Sequence, residues 1–104
     1  MIGIDIVQIE RVQLRPSFIE LVLTPYEQEE LKLRKIDKAK KEYIAGRFAV
    51  KEAIFKATQD KNYLKYTCLN DKNTNKPYIL DHPEIDVTIS HDGGMAIAMV
   101  YIQK

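Results

Sequence analysis

The chain has 104 residues, 45% of them hydrophobic and 30% charged, with a formal net charge of +1. This length predicts one domain, residues 1–104, with a modest core. No apolar run is long enough to span a membrane, which excludes an integral membrane protein with helical spans. The single cysteine, Cys68, excludes an internal disulfide framework and indicates a reducing compartment, so we expect a cytoplasmic protein and interpret Cys68 as a strand residue, not a nucleophile.

The opening residues, roughly 1–7, alternate in the manner of a β-strand. Ile2, Ile4 and Ile6 share one face, which predicts a strand with one apolar side. Asp5 points the opposite way, although aspartate is depleted from strand interiors. The aspartate either lies on a solvated face or meets another element of the fold.

Two short helices are predicted next. The first runs from Pro16 to Leu23, with proline in its first turn. The second begins at Thr24, which forms a capping box with Glu27, and ends near Lys35.

A basic cluster joins the second helix to the third. Its members are Lys32, Arg34, Lys35, Lys38, Lys40 and Lys41. The cluster is either a solvated helix junction or a landing surface for an acidic partner or for phosphates. Nucleic-acid binding ranks last, because only Tyr43 supplies an aromatic ring nearby, and we expect no nucleic-acid partner.

The longest helix is predicted from Asp37, as its N-cap, to about Thr58. Gly46 lies inside it at a cost of about 1 kcal/mol relative to alanine. A glycine inside a helix often permits close approach of another backbone, and the opening strand is a candidate for that neighbour.

Glu52 shares a stripe of this helix with Ile44, Phe48 and either Phe55 or Lys56. A carboxylate among bulky apolar groups needs a cation, which Lys56 or a metal ion would supply. The plain alternative is an exposed Glu52–Lys56 pair, worth about 0.2–0.5 kcal/mol. If instead Asp5 meets Glu52, the two carboxylates suit Mg²⁺.

The C-terminal half is predicted to be β-structure. Two short arms, residues 63–69 and 77–80, flank a polar turn, and a hairpin joins residues 86–91 to 95–102. Both faces of the last strand are apolar, so helices cover one face and another copy of the chain is the simplest cover for the other. The expected fold class is α+β, with one long helix packed on a small antiparallel sheet.

Three blocks of sequence resemble the holo-acyl-carrier-protein synthase family, the small bacterial phosphopantetheinyl transferases. They are GIDIV at 3–7 with Ile9 and Arg11, AGRFAVKEA at 45–53 with Lys56 and Ala57, and VTISH at 87–91. The blocks occur in family order and cover nearly the whole chain. The resemblance implies the phosphopantetheinyl-transferase fold and a homotrimer whose active sites lie between neighbouring subunits.

The function implied by the resemblance is transfer of 4′-phosphopantetheine from coenzyme A to a serine of apo-acyl carrier protein. The second product is adenosine 3′,5′-bisphosphate. The expected partners are therefore coenzyme A and an acidic acyl carrier protein, with Mg²⁺ as the cofactor. The alternative is a non-catalytic trimeric module that binds acidic carrier proteins.

The resemblance also implies roles for individual residues. Asp5 and Glu52 hold the metal, and Asp5, Glu52 and Lys56 are the catalytic residues. Glu52, or a water beside it, takes the serine proton, while Lys56 contacts the leaving phosphate.

Other residues are expected to bind the two substrates. Arg47 and His91 hold the distal nucleotide phosphate, with Ser90 beside His91 and Lys51 serving the nucleotide across a subunit boundary. Arg11 contacts the carrier protein, assisted by Arg15.

One departure from the family pattern lies after the long helix. The family usually has a glycine-rich turn there, whereas residues 58–62 contain no glycine. We expect Asn62 to supply a positive φ and Lys61 a positive charge in that turn.

Overall fold

The structure is a computed structural model that describes residues 1–103. Its helices and strands follow in the order β1 Ile2–Gln8, α1 Pro16–Val22, α2 Pro25–Leu31, α3 Asp37–Thr58, β2 Cys68–Asn70, β3 Pro77–Ile79, β4 Ile85–Asp92 and β5 Met95–Ile102. Short 3₁₀ turns occupy Ile9–Arg11 and Tyr63–Lys65. The α+β class is confirmed.

A three-stranded antiparallel sheet has the order β1-β5-β4, so the first and last strands of the chain are neighbours. Strands β4 and β5 form the predicted hairpin. Gly93 and Gly94, with φ of 57° and 79°, make its two-residue turn in the left-handed region that glycine tolerates best. Strands β2 and β3 pair separately.

The helix starts agree with the sequence at α2 and differ at α3. The capping box is present, since the Thr24 amide donates to Glu27 Oε1 at 2.8 Å and Thr24 Oγ1 accepts from the Glu27 amide. The prediction for Asp37 was wrong by one residue. Ile36 occupies the N-cap of α3 without a side-chain cap, and Asp37 is the first helical residue, where its charge favours the helix dipole.

Helix α3 forms the centre of the core. One apolar cluster lies between α3 and strands β2 to β5, and a second lies between α3 and helices α1 and α2. Val7 of β1 packs against both clusters. Within residues 1–103, no helix is long and apolar enough to cross a membrane.

Strand β1 approaches α3 more closely than any side chain would allow. A Cβ atom on Gly3 would lie 1.8 Å from the carbonyl oxygen of Ala53. The expectation for Gly46 was therefore wrong, because its open side faces Ile89 of β4 at 3.3 Å, not β1. The close backbone contact is made by the glycine of the strand.

The face of the sheet that points away from α3 is apolar and exposed. We call this surface the outer face. It includes Ile2, Ile4, Ile6, Ile97, Met99 and Tyr101, each 38–63% exposed. The alternating residues Ala96, Ala98 and Val100 are fully buried on the α3 side, which confirms the predicted two apolar faces of β5.

Gly3→Ala is expected to destabilise the protein by about 3 kcal/mol, because the new methyl meets helix backbone, which cannot turn aside. Gly46→Ala is the matched control. Its neighbour is the movable end of the Ile89 side chain, and alanine gains about 1 kcal/mol of helix propensity, so we expect a change within about 1 kcal/mol. Urea unfolding of both variants measures their free energies of unfolding. An equal loss of this free energy in the two variants would contradict the close approach of β1.

Candidate active site

Asp5 and Glu52 line one cleft between β1 and α3. We call it the carboxylate cleft; its volume is about 460 Å³. Its walls are Asp5, Ile6, Val7, Gln8, Arg11, Val12, Phe18, Phe48 and Glu52. Asp5 reaches it because it shares the helix-facing side of β1 with Gly3, opposite the isoleucines. The structure thus brings together the two carboxylates singled out in the sequence.

Lys56 pairs with Asp5. Its Nζ donates to Asp5 Oδ1 at 3.1 Å and to the Ile4 carbonyl at 2.9 Å. Among residues 1–103 it makes no ion pair with Glu52, so the i,i+4 pair considered from the sequence does not form. Half of the Lys56 side chain is exposed, and its partner Asp5 lines the carboxylate cleft.

Glu52 has an unexpected partner in Tyr63. The Tyr63 hydroxyl donates a hydrogen bond to Glu52 Oε1. Burial, this hydrogen bond and the charges of Glu52 and Asp5 together raise the pKa of Tyr63 to about 12. Sequence reasoning missed this residue. The only signal was the glycine-free segment before it, where Gln59, not Asn62, adopts a positive φ of 66°.

The donor set of the carboxylate cleft fits Mg²⁺. Within the part of the chain that the structure describes, no three His, Cys, Asp or Glu side chains form a metal-binding group, so the cleft offers the two carboxylates alone. Mg²⁺ is usually held by one or two carboxylates and completes its shell with water and substrate phosphates.

A second cleft, which we call the basic cleft, lies beside the first half of α3 and has a volume of about 270 Å³. Arg47 and His91 both line it, together with Arg34, Ala39, Glu42, Tyr43, Gly46, Asn70, Asn75, Pro77 and Ile89. The guanidinium groups of Arg34 and Arg47 both lie over the Tyr43 ring, at 4.3 and 4.2 Å from its centroid. Arg34, known from the sequence only as one of the basic cluster, therefore adds a cation here.

Arg47 is held firmly by the fold. Its side chain is only 5% exposed, its Nε donates to the Cys68 carbonyl at 3.0 Å, and its Nη2 donates to Asn70 Oδ1 at 2.7 Å. A weaker contact joins Nη2 to Glu30 at 3.4 Å. Only an edge of the guanidinium is left to face the basic cleft.

Lys51 does not fit its expected role at the nucleotide. It is 2% exposed, and its Nζ donates at 2.9 Å to each of three acceptors: Glu27 Oε1, the Val22 carbonyl and the Tyr63 carbonyl. An ammonium has three N–H donors, so none remains for a phosphate. Lys51 is a structural residue whose pKa is lowered by burial, in spite of the opposing effect of Glu27.

Ser90 does not join His91 in the basic cleft. The two residues are adjacent in β4, so their side chains point to opposite sides of the sheet. Ser90 pairs with Ile97 and lies on the outer face, whereas His91 is on the α3 side. Within one chain the two side chains therefore do not face the same cleft, and the role of Ser90 at the nucleotide stays a prediction.

Arg11 and Arg15, the two residues expected to contact the carrier protein, do not line the same cleft. Arg11 is exposed and lines the carboxylate cleft. Arg15 is exposed at the N-cap of α1 and does not line that cleft.

Cys68 is fully buried in β2, and burial raises the pKa of its thiol to about 11. A buried thiol that stays protonated is a poor nucleophile, so the strand role expected of Cys68 holds.

Comparison with known proteins identifies the family. The profile of the 4′-phosphopantetheinyl transferase superfamily matches residues 1–100. The chain is 38% identical over 116 residues to the holo-[acyl-carrier-protein] synthase of Anoxybacillus flavithermus, covering 99% of this chain and 94% of that protein. The chain belongs to the holo-acyl-carrier-protein synthase family.

Solved structures of the family agree with the fold. The Bacillus anthracis holo-(acyl-carrier-protein) synthase, in complex with CoA (3′,5′-ADP), matches with a TM-score of 0.81 at 33% identity, over 95% of this chain and 91% of that one. The Helicobacter pylori holo-[acyl-carrier-protein] synthase, in complex with coenzyme A, matches with a TM-score of 0.80 at 34% identity, over 99% and 100% of the two chains.

Proposed function

We propose that the protein transfers 4′-phosphopantetheine from coenzyme A to a serine of apo-acyl carrier protein. The observation that carries this proposal is the position of Asp5 and Glu52 on one cleft, in a chain whose family is that of the holo-acyl-carrier-protein synthases. One exposed arginine, Arg11, borders the same cleft and suits an acidic protein substrate.

The reaction joins the serine Oγ to the phosphorus that carries the pantetheine arm and breaks the pyrophosphate bond to the nucleotide. The leaving group is adenosine 3′,5′-bisphosphate. Asp5 and Glu52 would hold Mg²⁺, which when bound supplies charge neutralisation for the pyrophosphate oxygens. Glu52 accepts the proton of the serine hydroxyl as the new bond forms.

Lys56 serves the leaving group. Its ammonium is held by Asp5, a residue of the carboxylate cleft, and by the Ile4 carbonyl, and the side chain is half exposed. From there it neutralises and protonates the phosphate oxygen released from the pyrophosphate. The contact with Asp5 also orients the lysine. Asp5 would therefore both hold Mg²⁺ and position Lys56.

The nucleotide end of coenzyme A is assigned to the basic cleft. Its distal phosphate would lie against the free edge of Arg47 and against His91, with Arg34 adding charge. This set does not include Lys51, whose three N–H donors are already used, or Ser90, which lies on the outer face of the same chain.

A homotrimer is proposed because one chain separates the two clefts. Arg47 and Glu52 are five residues apart on α3 and so point about 140° apart around the helix, at about 100° per residue. A coenzyme A molecule that reaches both kinds of group is better served by the carboxylate cleft of one chain and the basic cleft of its neighbour. The exposed apolar outer face supplies the surface for such an assembly.

The cytoplasm is the proposed location of the reaction. The sequence contains one thiol, that of Cys68, which fits a reducing compartment.

The alternative function is a non-catalytic module that binds acidic carrier proteins. Its support is the glycine-free segment after α3, where the family usually has a glycine-rich turn at the nucleotide. Incubation with coenzyme A, Mg²⁺ and an apo-carrier protein, followed by mass spectrometry, separates the two functions. A carrier heavier by one phosphopantetheine group supports the transferase, whereas carrier binding without a mass change supports the module.

Glu52→Gln is expected to lower the transfer rate by at least about 100-fold, because it removes both a metal ligand and the proton acceptor. Glu29→Gln is the control, since it neutralises an exposed carboxylate on α2 that pairs with Lys32. Circular dichroism and thermal melting check that both variants remain folded. Retained turnover in Glu52→Gln would refute the assigned role.

Arg11→Glu is expected to raise the KM for the carrier protein at least about 10-fold, because a fully reversed charge faces an acidic partner, and to leave the KM for coenzyme A nearly unchanged. Steady-state kinetics with each substrate varied in turn measures the split. Arg15→Glu, beside but outside the cleft, is expected to have the smaller effect of the two. Equal effects of Arg11→Glu on both substrates would argue against docking.

Ile4→Asp is expected to dissociate the trimer, because it places a charge on the apolar outer face, where Ile4 is 54% exposed in one chain. Light scattering coupled to size exclusion should give three times the chain mass for the natural protein and a lower mass for the variant. Thr88→Asp is a weaker test of the same face. A natural protein that elutes as a monomer would refute the assembly.

A further inference from the structure

Tyr63 contacts a carboxylate of the cleft, although neither the family motifs nor the residue patterns indicated it. It opens the 3₁₀ turn Tyr63–Lys65, five residues beyond the end of α3. Its hydroxyl donates to Glu52 Oε1, so it contacts directly a side chain assigned to the metal and to the proton transfer.

The position of Tyr63 is fixed from three sides. Its ring packs edge-on against Phe48, with 5.8 Å between the ring centroids and 66° between their planes. Its carbonyl accepts from the buried Lys51 Nζ at 2.9 Å. Asn62 caps the turn by accepting from the Leu64 amide at 3.2 Å. Packing and hydrogen bonds therefore hold the Tyr63 hydroxyl beside Glu52.

The Lys51 contact links this turn to the most deeply buried ion pair of the chain. Lys51 and Glu27 are 1% and 0% exposed, with 2.9 Å between their charged atoms. Breaking such a pair is strongly unfavourable, so the Lys51 ammonium that binds the Tyr63 carbonyl is held in a fixed position. Because Lys51 also precedes Glu52 in α3, the same helical turn fixes both the carboxylate and the residue that bonds to it.

A hydrogen bond that holds one oxygen of a carboxylate also restricts the position of the other oxygen. Glu52 is partly buried on α3, and its side chain has several rotamers that differ in where the second oxygen lies. Among residues 1–103, Tyr63 is the one residue that donates a hydrogen bond to Glu52. The hydroxyl occupies Oε1, and within residues 1–103 no hydrogen bond engages Oε2 of this residue of the cleft wall.

We propose that Tyr63 is a positioning residue, which by donating its hydroxyl to Glu52 Oε1 orients the other oxygen of that carboxylate toward the divalent cation. The proposal rests on the proposed function of the carboxylate cleft. Tyr63 follows the segment in which this chain departs from the family pattern, so the device belongs to the particular way in which α3 ends here. Partners that orient a metal ligand in this way are commonly worth 10–100-fold in metal affinity, so we expect about that effect.

The test is Mn²⁺ binding, measured by electron paramagnetic resonance in the presence of coenzyme A and without carrier protein. Tyr63→Phe removes only the hydroxyl and keeps the ring against Phe48. Tyr66→Phe is the matched control, because Tyr66 lies three residues further on and packs against His82 instead. We expect Mn²⁺ affinity to fall at least about 10-fold in Tyr63→Phe and to stay within about 2-fold in Tyr66→Phe.

A second measurement separates orientation from folding. At saturating Mn²⁺, the transfer rate of Tyr63→Phe should recover toward that of the natural protein, whereas Glu52→Gln should not recover. Recovery also shows that the variant is folded. If Tyr63→Phe fails to fold, Tyr63→Trp, which keeps an aromatic ring with a donor group, should bind Mn²⁺ more tightly than Tyr63→Leu.

The outcomes distinguish this proposal from the proposed function. Equal or higher Mn²⁺ affinity in Tyr63→Phe, with affinity lost in Glu52→Gln, overturns the positioning role alone. Mn²⁺ affinity unchanged in Glu52→Gln, or no Mn²⁺ binding by the natural protein, overturns the metal site and the positioning role with it.

Discussion

The direct contact between the backbones of β1 and α3 is the constraint on which the site depends. Gly3 has no side chain, so β1 rests on the carbonyl of Ala53. Asp5, two residues further along the same face of β1, is then carried to the helical turn that holds Glu52 and Lys56. The position of two acidic groups on one cleft therefore depends on a glycine that takes no part in the chemistry.

Helix α3 uses its charged residues in two ways. On one side, Lys51 and Arg47 are buried and satisfied by Glu27, Asn70 and backbone carbonyls, which ties the helix to α2 and β2. On the other side, Glu52 lines the carboxylate cleft and Lys56 pairs with Asp5, which lines the same cleft. A buried charge must be paired to be tolerated, so Lys51 has no donor left for a substrate, whereas Arg47 still lines the basic cleft and Glu52 lines the carboxylate cleft.

The sequence was a good guide wherever a pattern depends on neighbours along the chain. The capping box at Thr24 and the hairpin at Gly93 follow local rules of hydrogen bonding and backbone conformation, and both were confirmed. The alternation in β5 was confirmed for the same reason. Asp37 was misplaced by one residue because helix ends depend on a local balance that several residues satisfy almost equally. Gln59 shows the same limit, since a non-glycine took the positive φ expected of Asn62.

By itself the sequence determined the elements, the two-sided apolar last strand, the family and the residues able to carry its chemistry. Only the tertiary structure decided which charges meet. Lys51 and Glu27 are 24 residues apart in sequence, and Lys56 and Asp5 are 51 apart. Lys51 and Lys56 are the same residue type on one helix, yet one is buried and the other half exposed. Burial and partners depend on how distant segments pack, and no spacing along the chain encodes that.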